Sequence, residues 1–198
     1  VMCLTYAHDA QAVPLADSLI AELVPNGGAV AGCWCWYAAG ECRIEDDPET
    51  ARINLERAVH LARVGGSVFV EGVAGASLAS LDVRSGDIEA AIANYRWLLP
   101  LWLRSGVRSP FWTSMRWVVE LCARLGADEA AARLLGAVLS PSTGHEVYGD
   151  DDARLAQLRR DLSARLGADR FAELFAAGWQ LDDAAAATEA TAAFDLHG

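Results

Sequence analysis

Residues 86–91 read Gly-Asp-Ile-Glu-Ala-Ala, and forty residues later residues 126–131 read Gly-Ala-Asp-Glu-Ala-Ala. The same step of 40 separates four acidic residues along the chain, and large apolar residues follow each of them six and ten positions later. An acidic residue that opens a helix, followed by one buried stripe, is typical of a helical repeat. Such a unit cannot bury its apolar face alone and must stack on copies of itself. The positions are Asp9, Glu49, Glu89 and Glu129, then Leu15, Leu55, Tyr95 and Leu135, then Leu19, Val59, Leu99 and Leu139.

The repeat predicts an all-α solenoid of antiparallel helix pairs that ends in a C-terminal helical cap. Residues 1–139 form the predicted repeat array, residues 140–152 form a loop by composition, and residues 153–198 form the cap, in which the period of 40 is lost. Gly and Pro turn signals separate the predicted helices. These helices are 10–23 as a partial unit, the pairs 28–45 with 48–63, 68–85 with 88–103 and 110–125 with 128–139, and a last helix at 183–194.

The charge of the chain limits the classes of partner that it can bind. All 16 basic residues are arginine, the net charge is −11, and residues 1–50 hold eight acidic residues against one basic residue, Arg43. Such a surface repels phosphate backbones, so we expect no direct nucleic-acid contact by this segment. No stretch approaches 18 uncharged apolar residues, and the start resembles no signal peptide and lacks an initiator Met. We therefore expect no membrane contact, a cytoplasmic location, and a fragment of a longer protein.

Small residues at the inter-helix contacts carry a first family resemblance. Ala51 and Ala58 occupy the two small positions of the second helix in a tetratricopeptide motif, and Gly86 occupies its inter-helix turn. The period of 40 exceeds the usual 34 of that motif. The array therefore resembles a tetratricopeptide-like right-handed solenoid, with a period similar to that of maltose-activator-like transcription regulators.

The C-terminal part carries a more specific resemblance. Its order of motifs is similar to the end of the helical region in large actinobacterial signal-transduction ATPases, some of which add a cyclase-like domain or a LuxR-type helix-turn-helix. This resemblance implies a regulatory role beside such domains. The segment itself has no lysine for a Walker A loop. The motifs are 131–137 (Ala-Ala-Arg-Leu-Leu-Gly-Ala), 158–160 (Leu-Arg-Arg), 175–179 (Phe-Ala-Ala-Gly-Trp) and 181–184 (Leu-Asp-Asp-Ala).

Catalytic, cofactor and metal sites are not predicted. The Cys33-Trp34-Cys35 spacing is not that of a zinc site, and buried structural thiols are the favoured interpretation of the cysteines. His145 and Glu146 beside three aspartates at 150–152 leave two readings open, a weak metal or acid/base site or a solvated loop before a helix start.

The groove candidates come from the first helices of the predicted pairs, which line the concave face in tetratricopeptide-type arrays. That resemblance places Cys33, Trp36, Gly40 and Arg43 there in the first pair, and Arg116 and Glu120 in the third pair. Two arginines in an acidic protein could hold the carboxylates of a partner, or could pair with nearby acids within the chain. Seven tryptophans could pack between repeats or line a groove, and Trp34 and Trp36 cannot both point inward.

The predicted function is that of a non-catalytic regulatory domain that binds a protein partner or a neighbouring domain of the parent chain. The alternative is a domain of the same kind that senses a small-molecule effector. An enzyme with an unrecognised site is the third and least favoured possibility.

Overall fold

A computed structural model of the chain describes residues 1–140 and 150–196, and these residues are helical with no β-strand. The helices pack largely on their neighbours in sequence. The all-α prediction is confirmed. The helices are α1 Met2–Tyr6, α2 Ala12–Glu41, α3 Pro48–Gly65, α4 Val68–Ser85, α5 Ile88–Ser105, α6 Arg108–Arg124, α7 Asp128–Val138, α8 Asp150–Leu166, α9 Ala168–Gly178 and α10 Asp183–Asp195.

The middle helices follow the turn signals closely. Four glycines with φ between 68° and 81° follow α3, α4, α5 and α6 and lie 20 residues apart, so two helices occupy each 40-residue period. Glycine adopts this left-handed conformation without the Cβ strain that other residues meet, which makes it the preferred helix stop. At the start of α3, Asp47 accepts a hydrogen bond from the Thr50 backbone N–H. The glycines are Gly66, Gly86, Gly106 and Gly126.

The N-terminal turn signal interrupts the helix at its last residue, Gly28. The prediction ends a helix at residues 25–28, and the segment Ala12–Glu41 consists of two helices joined across a kink at Gly28, with Pro25 inside the first of them. The interruption is confined to Gly28, whose φ of 66° and ψ of −173° lie outside the helical region. A single glycine can therefore turn the chain between two helical parts, 12–27 and 29–41, without a loop.

The chain divides into two compact units, Val1–Asn94 and Tyr95–Gly198. In the first unit, the second part of α2 packs on α3 and α3 packs on α4 around a core of alanine, leucine and valine side chains. Ala51 is completely buried in this core, and Gly40 lies against the side chain of Leu55. Small residues at these positions allow the α2 and α3 backbones to approach closely.

One charged group is buried in the first unit. The Asp82 side chain is fully buried, yet it forms a 2.5 Å ion pair with Arg52 and accepts a 2.7 Å hydrogen bond from the Asn94 amide. A buried carboxylate is tolerated when such partners replace its lost hydration. Residues of α3, α4 and α5 are thereby joined by one polar contact.

The second unit is held together by its C-terminal helices. Phe194 of α10 is fully buried, and Asp183 at the start of that helix accepts hydrogen bonds from Arg108 and from the indole N–H of the buried Trp112. Gly136 of α7 and Gly178 of α9 lie where these two helices cross.

The predicted loop at 140–152 falls only in part within the described residues. Residues 141–149 lie outside the described part of the chain, and the His145–Glu146 pair falls among them. Helix α8 begins at Asp150, so residues 150–152 belong to a helix instead of the loop.

Candidate interaction surfaces

The first candidate surface is an open groove on the outer face of α3. Five residues of α3 recur at helical spacing along one face, and Trp36 of α2 lies beside them. Together they line a cavity of about 520 Å³, which we call the Trp36 groove. Trp36 and Leu61 are partly buried, whereas half of Ile53 is exposed. The lining residues are Trp36, Ile53, Glu56, Arg57, His60 and Leu61.

The second candidate surface lies on another side of α2. Trp34 stacks on Phe69 of α4 with ring centroids 5.9 Å apart, and both side chains remain 44–45% exposed. Val30, one helical turn before Trp34, and Val68, beside Phe69, are also about half exposed. We call these four residues the Trp34 patch. The prediction that Trp34 or Trp36 approaches the surface is confirmed.

Two predicted lining residues face inward. Cys33 is completely buried, and Gly40 lies against Leu55 at the contact between α2 and α3. The expected position of both residues on a concave face is therefore wrong. Small residues on a helix occur both at close contacts between helices and on open surfaces, and the motif alone could not distinguish the two. In this structure Cys33 and Gly40 lie at buried positions.

Arg43 is paired with other residues of its own chain. Its guanidinium forms a 2.6 Å ion pair with Asp17 and donates a 3.0 Å hydrogen bond to the Ala39 carbonyl oxygen. Only 12% of the Arg43 side chain is exposed. The alternative of intramolecular pairing therefore describes this residue, and its expected contact with a partner stays a prediction.

Arg116 and Glu120 belong to one polar network in the second unit. Asp151 accepts hydrogen bonds from Arg116 at 3.1 Å and from Arg154 at 2.5 Å, and Arg154 also donates to Glu120 at 2.8 Å. The Arg154 guanidinium lies 3.7 Å from the centre of the Trp117 ring. Sequence reasoning missed Arg154, and it grouped Asp151 with His145 and Glu146 instead of with Arg116. Both Asp151 and Arg154 lie beyond the interruption of the repeat, where no spacing relates them to α6.

The burial of Arg116 leads to a stability prediction. We expect Arg116→Ala to lower the free energy of unfolding by about 1–3 kcal/mol, because a charge-assisted hydrogen bond is lost in a nearly buried position. The exposed Arg160 is the matched control, and Arg160→Ala should change stability by less than about 0.5 kcal/mol. Urea unfolding measures both variants. Equal stability of Arg116→Ala and the wild type would show that this guanidinium is available to a partner at no structural cost.

One carboxyl group has an unusual environment. Burial raises the pKa of Glu41 above its ordinary value of 4.5, although a hydrogen bond from the Ser77 hydroxyl and the charge of Arg84 act in the opposite direction. The folded state therefore favours the protonated form of Glu41 more than the unfolded chain does. The stability that the folded chain gains from a protonated Glu41 is fully present below the pKa that this carboxyl has in the unfolded chain. It is lost as the pH rises through the higher pKa of Glu41 in the folded state.

The Glu41 environment predicts a pH-dependent variant. Glu41→Gln should raise the melting temperature at pH 8, because the amide avoids the cost of burying a charge. The gain should shrink as the pH falls towards 4.5 and the wild-type carboxyl becomes protonated. Melting curves at half-unit pH steps measure the difference, with the exposed Glu22→Gln as control. A gain that is constant with pH would contradict the raised pKa of Glu41.

Three of the five cysteines, Cys33, Cys35 and Cys122, are buried as structural thiols are, whereas Cys42 is partly buried and Cys3 is exposed. All five are free, and burial raises the pKa of Cys122 to about 12. A thiol in that state is protonated at neutral pH and is a poor nucleophile and metal ligand. In residues 1–140 and 150–196, no three His, Cys, Asp or Glu side chains are grouped as metal ligands would be. Within the same ranges, no helix combines the length and the apolar character needed to cross a bilayer.

The chain was compared with protein-family models, with curated proteins and with solved structures, and none of the three comparisons found a match.

Proposed function

We propose that this chain is a non-catalytic helical-repeat domain that binds a protein partner, or a neighbouring domain of the same protein, and regulates it. The observation that carries this proposal is the Trp34 patch. Trp34 and Phe69 stack on each other, Val30 and Val68 lie one helical turn and one residue away from them along the chain, and all four apolar side chains are about half exposed. Contiguous exposed apolar surface with aromatic residues at its centre is typical of protein interfaces.

The aromatic pair supplies the energetic reason. Trp34 and Phe69 already stack on each other, so a partner would meet two rings whose positions are fixed. Fixed aromatic side chains lose little conformational entropy on binding and are frequent among the residues that dominate binding energy.

The wider setting follows from the resemblance of the C-terminal motifs and the 40-residue period. In this proposal the chain is a tetratricopeptide-like right-handed solenoid within a larger cytoplasmic protein, either a signal-transduction ATPase or a LuxR-type transcription regulator. The helical repeats would hold the ATPase or output domain in check, and contact with nucleic acid would belong to another domain. The all-helical fold and the negative charge support this proposal.

A comparison of captured proteins tests the role of the Trp34 patch. The wild type, the double variant Trp34→Ser with Phe69→Ser, and the control Leu196→Ser are immobilised and exposed to an actinobacterial extract. Leu196 is 86% exposed and lies outside the patch. We expect a partner whose recovery falls at least tenfold with the double variant and persists with the control. Equal recovery on all three proteins, each checked for an unchanged circular dichroism spectrum, would contradict the proposal.

A second candidate function, the sensing of a small-molecule effector, is favoured by the Trp36 groove. Its cavity of about 520 Å³ falls within the range of ligand pockets, and the Trp36 ring offers a surface for a flat molecule. A thermal-shift screen against metabolites tests it, because a ligand of the native state must raise the melting temperature. A rise that Trp36→Ala abolishes would support sensing, and the absence of any rise would count against it.

A further inference from the structure

We propose that the Trp36 groove binds an amphipathic helix whose polar face is basic. The groove is a second surface, separate from the Trp34 patch, and its partner is defined by chemistry that the residues around it display. Three features carry the inference: the shape of the groove, its apolar floor and the charges along it.

The shape of the groove suits a helix. Its α3 residues stand at positions i, i+3, i+4, i+7 and i+8, so the groove runs along the helix axis for about two turns. A helix laid beside α3 presents side chains at the same spacing, which is the geometry of helix-in-groove recognition. The floor consists of Ile53, Leu61 and the Trp36 ring, and it would receive apolar anchors from one face of the partner.

The groove carries charges of both signs. Glu56, Arg57 and His60 line the cavity, and Glu49, outside the lining, lies on the same face of α3 about two turns nearer its start. Neither carboxylate forms a hydrogen bond or an ion pair with a residue in the part of the chain that the structure describes. The guanidinium of Arg57 is held over the Trp36 ring, 4.6 Å from its centre, by a cation–π contact.

The surrounding unit reinforces this charge. Residues 1–94 contain 13 acidic and 5 basic residues, a net charge of −8. Such a field attracts a basic partner and repels an acidic one, and complementary charge of this kind mainly sets the rate and specificity of association. Lys or Arg side chains flanking the apolar anchors of a partner helix would reach Glu49 and Glu56. An acidic helix would be repelled by Glu49 and Glu56, and the positive charge that lines the cavity, Arg57, is held against the Trp36 ring.

Two synthetic helices test the proposal. Both peptides have 18 residues and the same leucine stripe, but one carries lysine and the other glutamate on its polar face. Fluorescence anisotropy measures their binding to the whole chain in 50 mM NaCl and again in 200 mM NaCl. We expect the lysine peptide to bind at least tenfold more tightly than the glutamate peptide, with an advantage that shrinks in the higher salt. Equal binding of the two peptides, or no binding of the lysine peptide, would overturn the proposal.

Charge reversals locate the site. Glu49→Lys with Glu56→Lys should weaken binding of the lysine peptide at least tenfold. The matched control is Glu22→Lys with Glu89→Lys, which changes the net charge equally outside the groove. Glu89 stands one period after Glu49, also in the first turn of a helix. Equal weakening by the two double variants would show that only overall charge matters and would overturn the groove as the site.

Other occupants give different results. Ile53→Asp, in the middle of the floor, should also abolish binding, and circular dichroism shows whether it folds. If it fails to fold, the charge reversals alone decide. Sedimentation of the wild type that reveals a dimer, lost in Glu49→Lys with Glu56→Lys, would assign the groove to a second copy and overturn the proposal. A metabolite that binds the groove while the lysine peptide does not would also overturn it. None of these results changes the test of the Trp34 patch, which uses different residues.

Discussion

Gly136→Ala is expected to lower the free energy of unfolding by about 3–5 kcal/mol or to prevent folding altogether, since added volume at a close contact cannot be absorbed cheaply. A Cβ atom on Gly136 would overlap the backbone carbonyl oxygen of Phe175 in α9. A backbone atom cannot rotate away as the end of a side chain can, so α7 and α9 would have to separate. Gly178→Ala should have a similar effect, because its Cβ would overlap the carbonyl oxygen of Arg133 in α7. Urea unfolding followed by circular dichroism measures both variants.

Gly86→Ala is the matched control for these substitutions. Gly86 has a φ of 81° and open space around its Cα, so an alanine there meets strain but no clash. The expected cost is about 1–2 kcal/mol from the left-handed conformation alone. If Gly136→Ala costs no more than Gly86→Ala, the close crossing of α7 and α9 is wrong.

Deletion of residues 153–198 is expected to cause aggregation of the remaining chain. The deletion removes α9 and α10 and most of α8, which cover α7 and part of α6. Buried apolar residues of α7, such as Leu134 and Leu135, would then be exposed to water, as happens when a repeat array loses its terminal cap. The indole N–H of Trp112 would also lose Asp183 as its acceptor.

Size-exclusion chromatography with light scattering measures the effect of this deletion. Phe194→Ala provides a graded comparison, because it removes one fully buried ring and leaves the helices in place. It should cost about 3–5 kcal/mol and leave a monomer at low temperature. A deletion variant that is soluble, monomeric and as stable as the whole chain would show that the C-terminal helices are an appendage instead of a cap.

The sequence predicted the candidate surfaces only in part. The tetratricopeptide resemblance predicts Trp36 on a concave face, and the structure places it beside the open face of α3; its contact with a partner stays a prediction. Arg43, Arg116 and Glu120 were chosen on the same grounds, yet each is paired with another residue of this chain. The partners Asp17 and Asp151 are 26 and 35 residues away, and spacing along one helix contains no information about such contacts.

The sequence by itself determined the all-α class and the helix boundaries between residues 48 and 138, because these depend on local interactions. Helix caps, left-handed glycines and the 3.6-residue periodicity each depend on a few neighbouring residues, so they can be recognised in a short stretch of sequence. The kink at Gly28 falls within the predicted turn at residues 25–28. The sequence did not show that the chain turns there without a loop and with Pro25 inside a helix, since a proline and two glycines can either end a helix or be accommodated within it.

Only the tertiary structure decided which faces are covered. Ile53 and Leu55 are both large and apolar and are two residues apart on α3, but Leu55 is completely buried and Ile53 is half exposed. Their difference comes from α2 and α4, which pack against one side of α3 and leave the other side open. Whether an apolar side chain belongs to the core or to a binding surface is set by the residues that it contacts, and those residues lie on other helices, outside the segment whose pattern is being read.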